Sequence, residues 1–305
     1  MQIVNIGSIN IDHVYAVDHF VRPGETLASA RYEIFAGGKG FNQSIALARA
    51  GAATKHTGMV GKDAEWLLGR LTKEGVDITH VGVAETPTGH AIIQVVPTGE
   101  NAILLSSGAN HTLTPATIAR ALSSCSRDDY LLLQNETSSV AEAILMGKQH
   151  GLRIVFNPAP MTPAVLDYPL QSVDIFILNE TEAEAMTGKT TAEDVRIEMC
   201  RQFPNAVTVL TMGNKGVLYF DADTHHRQPA FPVEAVDTTA AGDTFIGYFL
   251  AELMQSNNPS RALSLGCRAA SICVTRAGAS DSIPYRKELN TIQQNAPADA
   301  DKQSR

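Results

Sequence analysis

The sequence predicts a three-layer α/β/α fold, in which a mainly parallel central sheet lies between two layers of helices and a small β-sheet forms a lid. Short apolar runs alternate with stretches whose apolar residues recur at helical spacing, which is typical of βαβ units. Two segments, 11–35 and 88–106, lack helical spacing and alternate apolar with polar residues, as half-buried strands do. The 305 residues fit two ordinary domains or one large α/β domain with an insertion.

The elements of the core follow from these two periodicities. Apolar runs of strand length predict core strands at 4–6, 130–134, 153–156, 175–178 and 207–211. Apolar residues at helical spacing predict helices at 42–50, 64–74, 138–150 and 240–254, which should cover both faces of the sheet. Residues 233–236 are interpreted as a strand that leads into the last of these helices.

The lid is predicted from the two segments that break this alternation. Between the strand-like stretches 90–96 and 102–105 lies Pro97-Thr98-Gly99-Glu100-Asn101, which is typical of a hairpin turn. Long surface hairpins are the alternative interpretation. The expected division is a core of 1–10, 36–87 and 107–292, a lid of 11–35 and 88–106, and a disordered polar tail, 293–305.

Composition excludes several classes of function. The net charge is -8, and no cluster of basic residues could neutralise a nucleic-acid backbone. No apolar run is long enough to cross a bilayer, and no basic leader precedes an apolar segment, so no membrane association is expected. The four cysteines form no Cys-x-x-Cys pair, which indicates free thiols in a reducing, cytoplasmic compartment.

The segment 237–243 (DTTAAGD) combines small residues with the start of an apolar helix. At a helix start, unpaired backbone N–H groups and the positive end of the helix dipole attract phosphate. The N–H groups of Ala240, Ala241 and Gly242 would face the phosphoryl group, and Asp243 could accept a proton beside it. The alternative is an ordinary helix start with an aspartate in its first turn.

A second glycine-rich segment lies near the start of the chain, in addition to the segment 237–243. The segments 37–43 (GGKGFNQ) and 237–245 (DTTAAGDTF) resemble the two signature regions of the ribokinase family of carbohydrate kinases. Landmarks at 157–160 (NPAP) and 179–184 (NETEAE) are similar too, and the resemblance runs from Ile6 to Ser282. It implies transfer of phosphate from ATP to the primary hydroxyl of a small sugar, with D-ribose as the first expectation and Asp243 as the base.

The resemblance also implies the residues of the site. Those expected around the sugar are Asn10, Asp12, Gly38, Lys39, Asn42, Glu136 and Asp243. Those expected around ATP are Asn179, Thr211, Gly213, Asn214, Gly216 and Gly242. Glu182 is expected to orient Mg²⁺ through water, and a potassium site is expected from the mostly backbone oxygens of Asp237, Thr239, Cys273, Arg276, Gly278 and Ser282.

Other interpretations stay open at this stage. The acceptor could be deoxyribose, another sugar or a nucleoside, because Phe41 stands where the family usually has a small residue; alternatively, Phe41 only packs. A sugar- or nucleotide-sensing protein without efficient catalysis is a different class. An NAD-dependent oxidoreductase is disfavoured because Gly7 lacks the Gly-x-Gly-x-x-Gly spacing, and Lys39 is not part of a Walker motif.

Two further expectations concern the surface. Apolar strands in an exposed lid need cover, and together with the resemblance they predict a homodimer joined lid to lid. His225 and His226 are interpreted as part of a polar turn rather than a metal site.

Overall fold

Strands and helices alternate along residues 1–289, which are the residues that the computed structural model describes. The strands are β1 (Ile3–Ile6), β2 (Asn10–Ala16), β3 (Arg31–Gly37), β4 (Thr54–Val60), β5 (Asp77–Val83), β6 (Gly89–Val95), β7 (Asn101–Ser106), β8 (Tyr130–Gln134), β9 (Arg153–Asn157), β10 (Ile175–Asn179), β11 (Val207–Thr211), β12 (Val217–Phe220) and β13 (His225–Gln228). The α-helices are α1 (Lys39–Arg49), α2 (Glu65–Lys73), α3 (Pro115–Leu122), α4 (Val140–Gln149), α5 (Glu180–Thr187), α6 (Ala192–Gln202), α7 (Ala241–Ser256) and α8 (Pro259–Cys273). The tail 293–305 lies outside the described residues.

The central sheet has the order β13-β12-β11-β10-β9-β8-β1-β4-β5 within these residues. All neighbours from β11 to β5 pair in parallel, whereas β12 and β13 form an antiparallel edge. Because β1 pairs with β4 on one side and with β8 on the other, the strand order reverses at β1. In open parallel sheets, ligands bind beyond the carboxyl ends of the strands at such a reversal.

Helices cover both faces of this sheet, and alternate residues of β1 show how the layers separate. Val4 and Ile6 belong to a buried cluster with Ile118 of α3 and Ile144 of α4. Ile3 points the other way, into a cluster that contains Phe249 of α7. The predicted three-layer α/β/α fold with a mainly parallel sheet is therefore confirmed.

All five core strands predicted from apolar runs are present, but β4, β5 and β12 were missed. In β4 the polar residues Lys55, His56 and Thr57 interrupt the apolar pattern, although His56 and Thr57 are fully buried. The strand expected at 233–236 is wrong: this segment is irregular, and the exposure of Val233 and Val236 leaves no burial to favour strand pairing.

The turn expected at His225 and His226 is also misplaced. Both residues lie in the edge strand β13. The turn precedes them, where Asp221 Oδ1 accepts hydrogen bonds from the backbone N–H groups of Asp223 and Thr224.

The second, small sheet has the order β3-β2-β6-β7. Its two outer pairs are antiparallel, while β2 and β6 run parallel. Its residues alternate between two faces, and one face closes a cavity over the central sheet with Asp12, Glu33, Ile93 and Leu105, among others. The expected small second sheet is thus present, and the turn predicted at 97–101 joins β6 to β7.

No helix within residues 1–289 combines the length and the apolar character that a membrane span requires.

Candidate active site

The two glycine-rich segments meet where α1 and α7 cross. A Cβ atom on Gly247 of α7 would lie 2.7 Å from the backbone carbon of Ala46 and from the nitrogen of Leu47, so only glycine permits this approach. Residues four apart lie on one face of a helix. The crossing therefore holds Asp243, one turn before Gly247, beside Asn42, one turn before Ala46.

Both oxygens of the Asp243 carboxylate accept hydrogen bonds from α1. Asn42 Nδ2 donates to Oδ2 at 3.0 Å, and Gln43 Nε2 donates to Oδ1 at 2.8 Å. Burial raises the pKa of Asp243, while the ammonium of Lys39 and the two amides favour the ionised form. A carboxylate held this way can accept a proton from a hydroxyl in the adjoining cavity.

That cavity, here called the sugar-side cavity, has a volume of about 770 Å³ and lies between the small sheet and the start of α7. Its walls include all of the residues that the sequence predicted for the sugar, namely Asn10, Asp12, Gly38, Lys39, Asn42, Glu136 and Asp243. The fold brings them together from β2, α1, α7 and the loop after β8. The wall is rich in donors and acceptors at fixed positions, as recognition of a polyhydroxyl ligand requires.

Lys39 supplies positive charge beside the carboxylates of this cavity. Burial lowers the pKa of its ammonium, but the carboxylates of Asp243, Glu136, Glu182 and Asp12 raise it by more, so the net pKa lies above the usual value. Lys39 therefore stays protonated at neutral pH and offsets part of the surrounding negative charge.

Asp12 is a second carboxyl group in the wall of this cavity whose pKa is raised. Burial and the nearby Glu136 raise its pKa to about 6, and Lys39 opposes the shift. Its carboxylate occupies the space that a side chain on Gly37 of the neighbouring strand would fill. Asp12 consequently changes its charge close to neutral pH, within the wall of the cavity.

Two buried residues that the sequence did not single out orient the predicted ones. Ser8 Oγ donates to Glu136 Oε2 at 2.5 Å, and the backbone N–H of Lys39 donates to the same oxygen at 3.0 Å. Asn110 Nδ2 donates to Asn10 Oδ1 at 2.7 Å, in the space left by Gly89. Ser8 follows the apolar strand β1, and Asn110 lies in a short 3-10 helix (Gly108–Thr112). Neither position carried a sequence signal for its role.

A second cavity, here called the nucleotide-side cavity, has a volume of about 570 Å³. Its walls include most of the residues predicted for ATP, namely Thr211, Gly213, Asn214, Gly216 and Gly242. Apolar side chains such as Val217, Phe231 and Phe245 line the rest. Apolar walls beside glycine-rich backbone suit a base together with phosphate groups.

The two cavities adjoin at the start of α7. Ala235 and Thr238 line both of them, while Asp243 lies on one side and Gly242 on the other. Ala240 adopts a left-handed conformation, with φ of 59°, and no side chain caps α7. The N–H of Ala241 donates to Thr238 O at 3.2 Å, whereas that of Gly242 has no acceptor within residues 1–289.

Asn179 and Glu182 do not line either cavity. They form a capping box at the start of α5: Asn179 Oδ1 accepts from the Glu182 N–H at 2.9 Å, and Glu182 Oε2 accepts from the Asn179 N–H at 3.0 Å. Burial raises the pKa of Glu182, with Asp243 contributing and Lys39 opposing. The capping of α5 is therefore sufficient to explain why Asn179 and Glu182 occur at this spacing.

The residues predicted for potassium lie together beside the start of α7. Asp237 Oδ1 accepts from the Thr239 N–H and Oδ2 from the Gly278 N–H, both at 2.9 Å, which ties the two loops to one another. Cys273 Sγ lies 3.0 Å from Ser282 Oγ. The Arg276 side chain points elsewhere and pairs with Glu288, so only its backbone could serve a cation.

Phe41 packs in the core. It is fully buried in a cluster with Ile9, Ile45 and Tyr248, and it is not part of the wall of the sugar-side cavity. The alternative in which this ring narrows the pocket is therefore not what the structure shows.

Comparison with known proteins adds a separate line of observation. A family model described as pfkB family carbohydrate kinase matches residues 1–286. Ribokinase of Haemophilus influenzae is 39% identical over 300 residues, which cover 95% of this chain and 98% of that protein. Deoxyribokinase of Salmonella typhi is 34% identical over 300 residues, again covering 95% and 98%.

A solved structure agrees with these sequences. Ribokinase of Arabidopsis thaliana, complexed with ribose and ATP, superposes with a TM-score of 0.84 at 28% identity, covering 97% of this chain and 99% of that one.

Proposed function

Because the chain belongs to the pfkB family of carbohydrate kinases, we propose that it transfers the γ-phosphoryl group of ATP to the primary hydroxyl of D-ribose. One observation carries this proposal. The Asp243 carboxylate faces the sugar-side cavity, and the uncapped start of its own helix faces the nucleotide-side cavity, with Ala235 and Thr238 as the shared wall.

Asp243 acts as the general base. Its carboxylate takes the proton of the sugar hydroxyl while that oxygen forms a bond to the γ-phosphorus, and the bond between this phosphorus and the bridging oxygen breaks to release ADP. The hydrogen bonds from Asn42 and Gln43 favour the ionised carboxylate and so oppose the effect of its burial. Lys39, which stays protonated, holds compensating positive charge nearby.

The start of α7 stabilises the charge that develops on the transferred group. The Gly242 amide is available there, and the Ala241 amide has only a 3.2 Å bond to exchange for one to phosphate. The left-handed turn at Ala240 sets the direction of these amides. This geometry supports the proposal that Ala240, Ala241 and Gly242 form the binding site for the transferred phosphoryl group.

Mg²⁺ fits this site as an ion that arrives with the nucleotide. No three His, Cys, Asp or Glu side chains among residues 1–289 are grouped to hold a metal, and Glu182 uses both carboxylate oxygens on Asn179. Mg²⁺ binds through phosphates and retained water, so Glu182 would act through a water molecule. When bound, the ion neutralises charge on the phosphates.

The choice of ribose rests on the relatives and on the polar wall. Asn10, Asp12, Lys39, Asn42 and Glu136 offer enough fixed donors and acceptors to pair with each hydroxyl of a pentose. Deoxyribose is the second candidate, because a deoxyribokinase is 34% identical over nearly the whole chain. A protein that senses sugar without turnover would bind both ligands and release no ADP.

The small sheet is proposed to act as a lid made of 11–35 and 88–106 over a core of 1–10, 36–87 and 107–292. Its outer face carries exposed apolar side chains, including Tyr32, Ile34, Ile92 and Leu104. A second copy of the chain would cover them, giving a homodimer joined through the lids. Light scattering at micromolar concentration should give twice the monomer mass, and a monomer mass would contradict this.

Potassium is proposed as an activator bound by backbone oxygens near Asp237, Thr239 and Gly278. Their position beside the start of α7 would let the ion fix the loop that precedes the helix. The free state of all the described cysteines agrees with a cytoplasmic location.

A coupled assay of ADP release tests the function. Ribose, deoxyribose, other pentoses, hexoses and nucleosides should be compared at equal concentration with MgATP. We expect ribose to give the highest kcat/KM. A higher kcat/KM for deoxyribose or a nucleoside would reassign the acceptor. If no ADP is released with any of these compounds, the proposal of a sugar kinase is contradicted.

A further inference from the structure

The side chain of Gln43 is fully buried and bonds directly to Asp243. Its Nε2 donates to Asp243 Oδ1 at 2.8 Å and to Asn157 Oδ1 at 3.2 Å. Its Oε1 accepts from Gln134 Nε2 at 2.7 Å. Gln43 itself is not among the residues that line the sugar-side cavity, so it acts on that cavity only through Asp243.

A chain of buried amides determines which end of Gln43 faces Asp243. Asn5 Nδ2 donates to the carbonyl of Gly40 at 2.8 Å, and because a carbonyl can only accept, the Asn5 amide has one possible orientation. Asn5 Oδ1 is then an acceptor and takes a hydrogen bond from Gln134 Nε2 at 2.9 Å. Gln134 in turn presents Nε2 to Gln43, which must offer its oxygen there and its nitrogen to Asp243.

We propose that Gln43 is a positioning residue that holds Asp243 ionised and correctly turned, and that Asn5 and Gln134 fix the sense of its amide. The proposal rests on the proposed role of Asp243 as the base. A donor fixed toward Oδ1 stabilises the carboxylate but not the protonated acid at that oxygen. With Asn42 on Oδ2, it also prevents the carboxylate from rotating away from the cavity.

Other titratable groups also lie close to Asp243, and the variants of Gln43 and Gln134 leave them unchanged. Lys39 lies at the start of α1, Glu182 lies on α5, and Cys273 lies on α8. Lys39 favours the ionised form of Asp243, whereas Glu182 disfavours it.

The test compares Gln43→Met with Gln43→Glu. Methionine has a similar volume but no donor, so kcat should fall by about 10- to 100-fold, and the acid limb of the pH profile should move up by about one pH unit. Glutamate places a second carboxyl group against Asp243, and the limb should move further in the same direction because the two groups share a proton. The KM for ribose should change by less than about threefold, since Gln43 does not line the cavity.

The profile should be measured as kcat at saturating ribose. Protonation of Asp12 that weakens sugar binding then contributes little, and the acid limb reports the base in the enzyme–substrate complex.

Ser44→Ala is the matched control. Ser44 follows Gln43 on α1, is equally buried, and bonds to Asn5 and His56 but not to Asp243. This variant should lose stability while keeping the acid limb of the wild type. Gln134→Met removes only the group that orients Gln43, and it should shift the limb in the same direction by a smaller amount.

Each outcome decides the inference. If Gln43→Met shows a folded thermal transition and the acid limb of the wild type, the inference is wrong, even if kcat is lower. If Gln43→Met does not fold, an unshifted limb in Gln134→Met overturns the inference and an upward shift supports it. Asp243→Asn separates the role of Asp243 as the base from the role of Gln43 in positioning it. If Asp243→Asn keeps turnover, Asp243 is not the base. If Asp243→Asn is inactive but the Gln43 variants keep the acid limb of the wild type, only the positioning role is wrong.

Discussion

Asn42 and Asp243 lie 201 residues apart in the chain, yet Asn42 Nδ2 donates to Asp243 Oδ2 at 3.0 Å. This bond joins the first turns of two helices that begin at the two glycine-rich segments. It places an amide, a carboxylate and an uncapped helix start within one site. The same contact orients the carboxylate that we propose as the base.

Asp243→Asn should nearly abolish turnover. The amide keeps the shape of the carboxylate but cannot accept a proton, and loss of general base catalysis costs about 10²- to 10⁴-fold in rate. The variant should bind ribose with nearly unchanged affinity and unfold at a similar temperature. ADP release and calorimetric titration with ribose measure both quantities, and a kcat equal to that of the wild type would show that Asp243 is not the base.

Gly247→Val should lower kcat by about 100-fold, because the added side chain forces α7 away from α1 and displaces Asp243. Single-turnover kinetics and denaturant unfolding separate lost catalysis from lost stability. Gly69→Ala on α2 is the control, since nothing lies within 4 Å of its Cβ position. That variant should gain up to about 1 kcal/mol of stability and keep full activity.

Asp12 should make ribose binding depend on pH. Its pKa is about 6 in the unliganded protein, so the group is ionised above this pH and neutral below it. Ionised carboxylates accept stronger hydrogen bonds from hydroxyl groups, so the KM for ribose should rise as the pH falls through 6. In Asp12→Asn the KM for ribose should be raised and should not change between pH 5 and about pH 8. If the KM of both proteins depends on pH to the same extent, Asp12 does not have this role.

Phe41→Ala should destabilise the fold without changing substrate choice. Removing a fully buried ring leaves a cavity in the core and costs about 3–5 kcal/mol in the free energy of unfolding. Urea denaturation measures this loss. The ratio of kcat/KM for ribose and deoxyribose should stay within about threefold of the wild type. A reversed preference would show that Phe41 influences the choice of sugar.

KCl should raise kcat by about fivefold or more over NaCl at equal ionic strength, at the lower end of the usual coupling between sites. Asp237→Ala removes the carboxylate that ties Thr239 to Gly278, so this response should weaken. Equal rates in both salts would remove potassium from the mechanism.

The sequence by itself determined the fold class and the segments that carry chemistry. Burial of one face of a strand or helix produces a local apolar pattern that is visible in the sequence. This pattern predicted the strands at 130–134 and 207–211 and the helices at 42–50 and 240–254. The glycine-rich segments 37–43 and 237–243 are also visible locally, because only small residues permit such backbone approach. Strand β4 escaped prediction because its buried polar residues hide the apolar pattern.

Only the tertiary structure decided how these segments work together. A hydrogen bond depends on where the partner lies in space, and the partners of Asp243, Glu136 and Asn10 lie on the order of one to two hundred residues away along the chain. Whether Phe41 packs or lines the pocket likewise depends on how α1 turns against its neighbours. Residue type predicts that a group can donate, accept or pack, whereas the helix crossing at Gly247 decides which groups meet.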